Sequence, residues 1–130
     1  MCLISYELSK ISDKQIKVYK IVERKADGLY APFQRGKYVD FPIMDLVSKF
    51  PPIPVRECQD KRIEYNYGLG FIHAFVTKEC AMQERERLHS LPGSRMFEVY
   101  EGYIPENIEY AISTDEKTIC ARKIILEKKI

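Results

Sequence analysis

The chain has 130 residues, a length at which one domain with its own core is expected, needing neither disulfides nor a metal. Its 45% hydrophobic and 31% charged content excludes a disordered polyelectrolyte. With 21 Lys+Arg against 19 Asp+Glu the formal charge is only +2, which disfavours a general nucleic-acid binder, whose affinity grows with the phosphates it neutralises.

Cys2 to Leu8 is a short apolar-rich start that reads as an edge strand or a frayed end. It lacks the basic opening of a signal peptide and carries Glu7 where such a segment stays apolar. No apolar run in the chain approaches the roughly 18–20 residues of a membrane span. The expected compartment is therefore the cytosol. Ser9 to Lys14 reads as a turn, and Gln15 to Arg24, β-branched and unbroken, as a strand. Asp27-Gly28 is a strong turn signal, so Leu29-Tyr30-Ala31 is expected to return as the second arm of a hairpin, stopped by Pro32.

Tyr38-Val39 is expected to be extended. Ile43, Leu46, Val47 and Phe50 share one helical face between Pro42 and Pro51, which predicts a second, short helix over 43–50. Pro51-Pro52-Ile53-Pro54 must be extended and reads as a stiff loop. Lys61 to Tyr67 alternates as a half-buried strand. After Gly68-Leu69-Gly70 comes a strand of another kind: Phe71, His73 and Phe75 on one face, Ile72, Ala74 and Val76 on the other, both apolar. Such a strand belongs mid-sheet, covered on both sides.

Thr77 suits an N-cap, and Lys78 to His89 is the one clear helix, spanning about 77–90 with its caps. Its apolar stripe, Ala81 and Leu88, is thin, and small Ala81 and Ala74 would admit a close approach to the sheet. Leu91-Pro92-Gly93 ends it. Arg95 to Ile104 is a strand, Pro105-Glu106-Asn107 a turn, Ile108 to Ile112 an extended segment, and Thr118 to Leu126 a last single strand. The fold class is α+β, a mainly antiparallel sheet in one domain, 1–130.

Chemistry is sparsely signalled. His73 is the first candidate, as a base or hydrogen-bond donor, against the plainer role of a core histidine bonded to a carbonyl or a tyrosine hydroxyl. His89 stands where it would complement the helix dipole. Tyr65, Tyr67, Tyr100, Tyr103 and Tyr110 could line a stacking surface or clothe a half-wet sheet. Nothing in the spacing pairs two of Glu98, Glu101, Glu106 and Glu109, and Arg122, Lys123, Lys128 and Lys129 form only a weak basic end. Cys2, Cys58, Cys80 and Cys120 contain no CxxC and are expected to be reduced; with His73 and His89 they match no zinc-site spacing. Gly68-Leu69-Gly70 fails both the dinucleotide and the phosphate-loop patterns.

Gly70-Phe71-Ile72-His73-Ala74-Phe75, the Thr77-to-Ala81 helix start and Val99-Tyr100, with Tyr19-Lys20, Gly28 and Pro32-Phe33 before them, give residues 15–126 a pattern that resembles a group of small uncharacterised bacterial and phage proteins. That resemblance implies no activity. Thr77 to Ala81, Val99-Tyr100 and Pro105 are also faintly similar to small ADP-ribosyltransferases such as those that inactivate rifamycins. This second resemblance implies an NAD cofactor and an enzyme using His73, Tyr19 and a glutamate such as Glu101. Tyr19 stands in the region where that family carries a histidine.

The expectation from the residues is a binding or accessory protein without catalysis and without a cofactor, taking a partner protein or small ligand, with ADP-ribosyl transfer and nucleic-acid binding as the alternatives. Whether the chain is an enzyme is left open. Phe71, His73, Phe75 and Tyr100 are the ligand-binding candidates, on a face expected to lie opposite the helix. A homodimer would hide a sheet edge.

Overall fold

The computed structural model describes residues 6–7, 9–30, 37–40, 44–47, 53–57, 63–66, 71–93 and 95–130. In chain order the first strands are β1 (Lys10–Ile11), β2 (Ile16–Lys25), β3 (Gly28–Tyr30), β4 (Lys37–Asp40), β5 (Asp45–Val47), β6 (Ile53–Glu57) and β7 (Ile63–Asn66). Then come β8 (Ile72–Phe75), the helix α1 (Lys78–His89), β9 (Phe97–Ile104), β10 (Glu109–Ile112), β11 (Thr118–Ala121) and β12 (Lys123–Lys129). Every pairing is antiparallel, as the hairpin-rich sequence predicts.

The main sheet runs β1-β10-β11-β8-β2-β9-β12-β5, with β3 on the free part of β2 and β4 on β3. Its spine is the unbroken ladder of β2 on β9, from Ile16↔Ile104 to Glu23↔Phe97. The sheet curls until β4 lies beside β5, so that β4, β3, β2, β9, β12 and β5 roll into a barrel-like wall. Alternation along each strand then sorts side chains into an inside and an outside. Inside, Val18, Val22, Leu29, Leu46, Ile72, Ala74, Tyr100, Ile104, Ile119, Ala121, Ile124 and Leu126 pack as one cluster. Outside, α1 lays Ala81 and Leu88 on Ile21, Phe97 and Val99, with Tyr19, Phe75 and Met82 at the margin. A smaller outer cluster joins Phe71, Ala111 and Cys120, with Tyr6 against it.

The helix follows its sequence signals. The Thr77 hydroxyl accepts the Cys80 N–H at 3.3 Å, and Ala81 and Leu88 are its buried residues. Arg85 adds a tether, its Nε–H donating to the Phe97 carbonyl at 2.9 Å. The hairpin of β2 and β3 turns at Ala26-Asp27, and β8 is central, between β11 and β2.

Four expectations are corrected. Asp45–Val47 is a strand rather than part of a helix: it pairs with β12, and its exposed–buried–exposed pattern around Leu46 has the period of two that a strand requires. Val47, which a helical face would bury beside Leu46, is 58% exposed. Lys10–Ile11, read as a turn, pairs with β10 at the sheet edge. The single strand expected over Thr118 to Leu126 is two, broken at Arg122, with β11 joined to β8 and β12 joined to β9. Ile53 and Pro54, read as loop, start β6, whose ladder with β7 is irregular beside Pro54, where a missing N–H is tolerated. Phe50 and Gly68 to Gly70 lie outside the described residues, as do Cys2, Cys58 and Tyr67.

Candidate functional site

His73 stands on β8 opposite Cys120 of β11, and the two side chains share the outer face. Tyr6 closes over them: its hydroxyl lies 2.8 Å from His73 Nδ1, and the two rings meet edge to face with centroids 5.6 Å apart. Burial, with the Cys120 thiol nearby, pushes the Tyr6 pKa up, so the phenol keeps its proton. Burial also pushes the Cys120 thiol up, and its Sγ lies 3.7 Å from the Ala111 carbonyl. A thiol held protonated in an apolar setting is a poor nucleophile.

The other sequence candidates scatter. Tyr19 and Glu101 are cross-strand neighbours on the outer face, and Tyr19 is also opposite Phe75. Tyr19 and Phe75 pack against the cluster under α1, while Glu101 pairs with Lys17 at 3.4 Å. The helix therefore covers the His73 and Phe75 side of the sheet, not the opposite side, and Ala74 faces the interior away from Ala81. Tyr100 is likewise inside, separated by the sheet from Phe71, His73 and Phe75. His89, expected as a dipole partner, lies in the last turn of the helix, and its Nε2 accepts the Phe97 N–H at 3.3 Å. It lines an open cavity of about 320 Å³ with Leu88, Leu91, Pro92, Met96 and Phe97.

The densest chemistry lies at one end of the barrel interior. Glu98 on β9 is only 5% exposed, yet it is surrounded by charge. Lys129 Nζ lies 3.1 Å and Arg24 Nη1 3.3 Å from the same oxygen, Oε1. Tyr100 Oη donates to Oε2 at 3.3 Å. Burial alone would raise the Glu98 pKa, but the hydrogen bonds from Lys129 and Arg24 outweigh it and hold the carboxyl below its ordinary value. Burial and the same carboxylate push Tyr100 up. Lys20, 4% exposed, occupies the next inner position of β2, across from Tyr100.

Three adjacent strands build this group. Ile16, Val18, Lys20, Val22 and Arg24 are the inner residues of β2, and Glu98, Tyr100, Gly102 and Ile104 those of β9. On β12, Ile124 and Leu126 face inward, and simple alternation would bring Lys128 in next. A bulge between Leu126 and Lys128 shifts the register, so Lys129 stands opposite Tyr100 and Lys128 opposite outward-facing Glu101. Gly102 lets the bulged strand come close, since a methyl there would strike the Ile125 carbonyl. The sequence shows Glu98, Tyr100 and Lys129 as unconnected members of three lists. Alternation along the β2 and β9 strands could have grouped Arg24, Glu98 and Tyr100, but no residue announces the bulge.

Among the described residues there is no group of three or more His, Cys, Asp and Glu able to hold a metal, and no helix long and apolar enough to cross a membrane. No protein-family profile, curated protein or solved structure matches the chain.

Proposed function

We propose that the protein acts by recognition, as a binding or accessory protein, and that its ligand meets the charged end of the barrel rather than the His73 face. The observation that carries this reading is the Glu98 group: a buried carboxylate holding two half-exposed cations from neighbouring strands. Burying a charge costs several kcal/mol in general and is seldom the cheapest way to hold three strands together, so a recognition role accounts for it better than a purely structural one. The His73 face supports catalysis less well. Its phenol and thiol both favour their protonated forms, and α1 packs on the residues next to it.

The test separates recognition from ADP-ribosyl transfer. Purified protein is incubated with NAD and nicotinamide release is followed by chromatography, alone and with His73→Ala and Glu101→Gln. Recognition predicts no release above the buffer rate in any of the three. Release by the parent protein, abolished by either substitution, would overturn the reading in favour of the enzyme. A NAD requirement plays no part in the proposal.

A further inference from the structure

We infer that the cavity where α1 ends is a binding site for a small uncharged aromatic molecule, a ring system bearing one oxygen that accepts a hydrogen bond. It is separate from the Glu98 group, since Phe97 and Glu98 are successive residues of β9 and face opposite sides of the sheet. Its volume of about 320 Å³ is that of a small ligand site. The floor is held in place from several directions. Phe97 and Leu88, 3% and 5% exposed, belong to the cluster under α1. Arg85 Nε–H donates to the Phe97 carbonyl and His89 Nε2 accepts the Phe97 N–H, while the Met96 carbonyl accepts the Arg24 N–H at 2.9 Å. A ligand therefore meets a floor already ordered.

The lining sets the class of ligand. Leu91 and Met96, 49% and 62% exposed, are two of the five large hydrophobic side chains that the described residues leave open to water, and both border the cavity with Pro92. Covering them takes apolar surface out of water. The Phe97 and His89 rings, with centroids 5.7 Å apart, and the soft Met96 sulfur favour an aromatic over an aliphatic guest. Arg95 also lines the cavity, its guanidinium 4.7 Å over the Phe97 ring, but two of its nitrogens are already bonded to the Glu23 carboxylate at 2.9 and 3.0 Å. An ionised guest would give up its water beside a pair already made, so a neutral one is favoured. The polar handle is His89. With Nε2 accepting from Phe97, the ring hydrogen stands on Nδ1, which has no hydrogen bond among the described residues and can donate to a phenol or ketone oxygen.

The full chain labelled with ¹⁵N is titrated separately with naphthol, naphthoate and decahydronaphthol, which keep the size of the ring system while changing first its charge and then its aromaticity. The expected result is saturable shifts with naphthol, confined to the amides from Leu88 to Leu91 and from Arg95 to Phe97, and weaker binding of the other two. Leu91→Ser and Met96→Ser each weaken naphthol binding by about tenfold, the effect of losing one apolar wall. Both side chains are exposed, so the variants keep the parent's amide dispersion; should one not, the other decides. Naphthoate or decahydronaphthol binding as tightly as naphthol overturns the stated class of ligand. Shifts that stay linear, that spread over the chain, or that survive both substitutions overturn the site. Shifts of the same amides that follow protein concentration alone assign the surface to a second copy of the chain and overturn it as well. None of these outcomes touches the recognition reading of the Glu98 group, which fails only by nicotinamide release.

Discussion

At Gly102 the β12 backbone passes so close that the Ile125 carbonyl occupies the space of a side-chain methyl. Gly102→Ala must push the strands apart at the bulge, and overpacking of this kind costs about 1–3 kcal/mol, to be read from urea unfolding. Ser12 is a second point where one small residue holds several others. It is 2% exposed; its hydroxyl donates to the Pro105 carbonyl at 2.6 Å and accepts the Ile108 N–H at 3.0 Å. Ser12→Ala leaves both backbone groups without that partner and is expected to cost roughly 1–3 kcal/mol. Neither role shows in the sequence, because each depends on residues far along the chain.

Carboxylates also act at this scale. Hydrogen bonding to Arg95 lowers the Glu23 pKa, and the Glu98 pKa is lowered against burial by Lys129 and Arg24. Folded values below the unfolded one mean that the native state binds fewer protons as pH falls, so the unfolded state gains. Their contribution is complete above the ordinary value of 4.5 and is lost as pH drops through the depressed native values. The urea midpoint should thus hold steady above about pH 5 and decline below it, with a shallower decline in Glu98→Gln. An acid limb unchanged by that substitution would contradict the assignment.

At the scale of the element, α1 shows how local and distant information divide. Its cap, its composition and its stop are all written in consecutive residues, because the bonds involved span three or four positions. Thr77→Ala removes the acceptor of the Cys80 N–H and should cost about 1 kcal/mol by thermal or urea unfolding. Which side of the sheet receives the helix was not legible in the same way. Both faces of β8 are apolar, so alternation identified two covered faces and could not rank them. Strand β5 shows the converse. Three residues with one buried leucine carry too little pattern to be told from a helical turn, and only the ladder to β12 decides. The β11–β12 break at Arg122 was hidden for a related reason: no glycine or proline marks it.

For the molecule as a whole, the ladders join residues remote in sequence, Ile16 to Glu23 with Phe97 to Ile104 and Lys10 with Tyr110. Closing such loops before any contact rewards them slows folding. Refolding from urea is therefore expected on a scale of about milliseconds to seconds, and stopped-flow traces whose whole amplitude is lost in the mixing time would count against this topology. The interior in turn grades from apolar around Val18, Ile104 and Ile124 to charged around Lys20, Glu98 and Lys129. That gradient is a property of the curled sheet and of no single strand.

The sequence by itself determined the class of the fold, the helix with its cap, the β2–β3 hairpin and the central place of β8. Each of these rests on contacts between near neighbours or on alternation within one strand. Only the tertiary structure decided which face α1 covers, that Tyr6 lies against His73, that Tyr100 points inward, and that Arg24, Glu98 and Lys129 meet. Those outcomes depend on register between strands more than seventy residues apart in the case of Arg24 and Glu98, and on one bulge that exchanges Lys128 for Lys129. Shifting register by one residue reverses the face of every side chain beyond it, and nothing local reports such a shift.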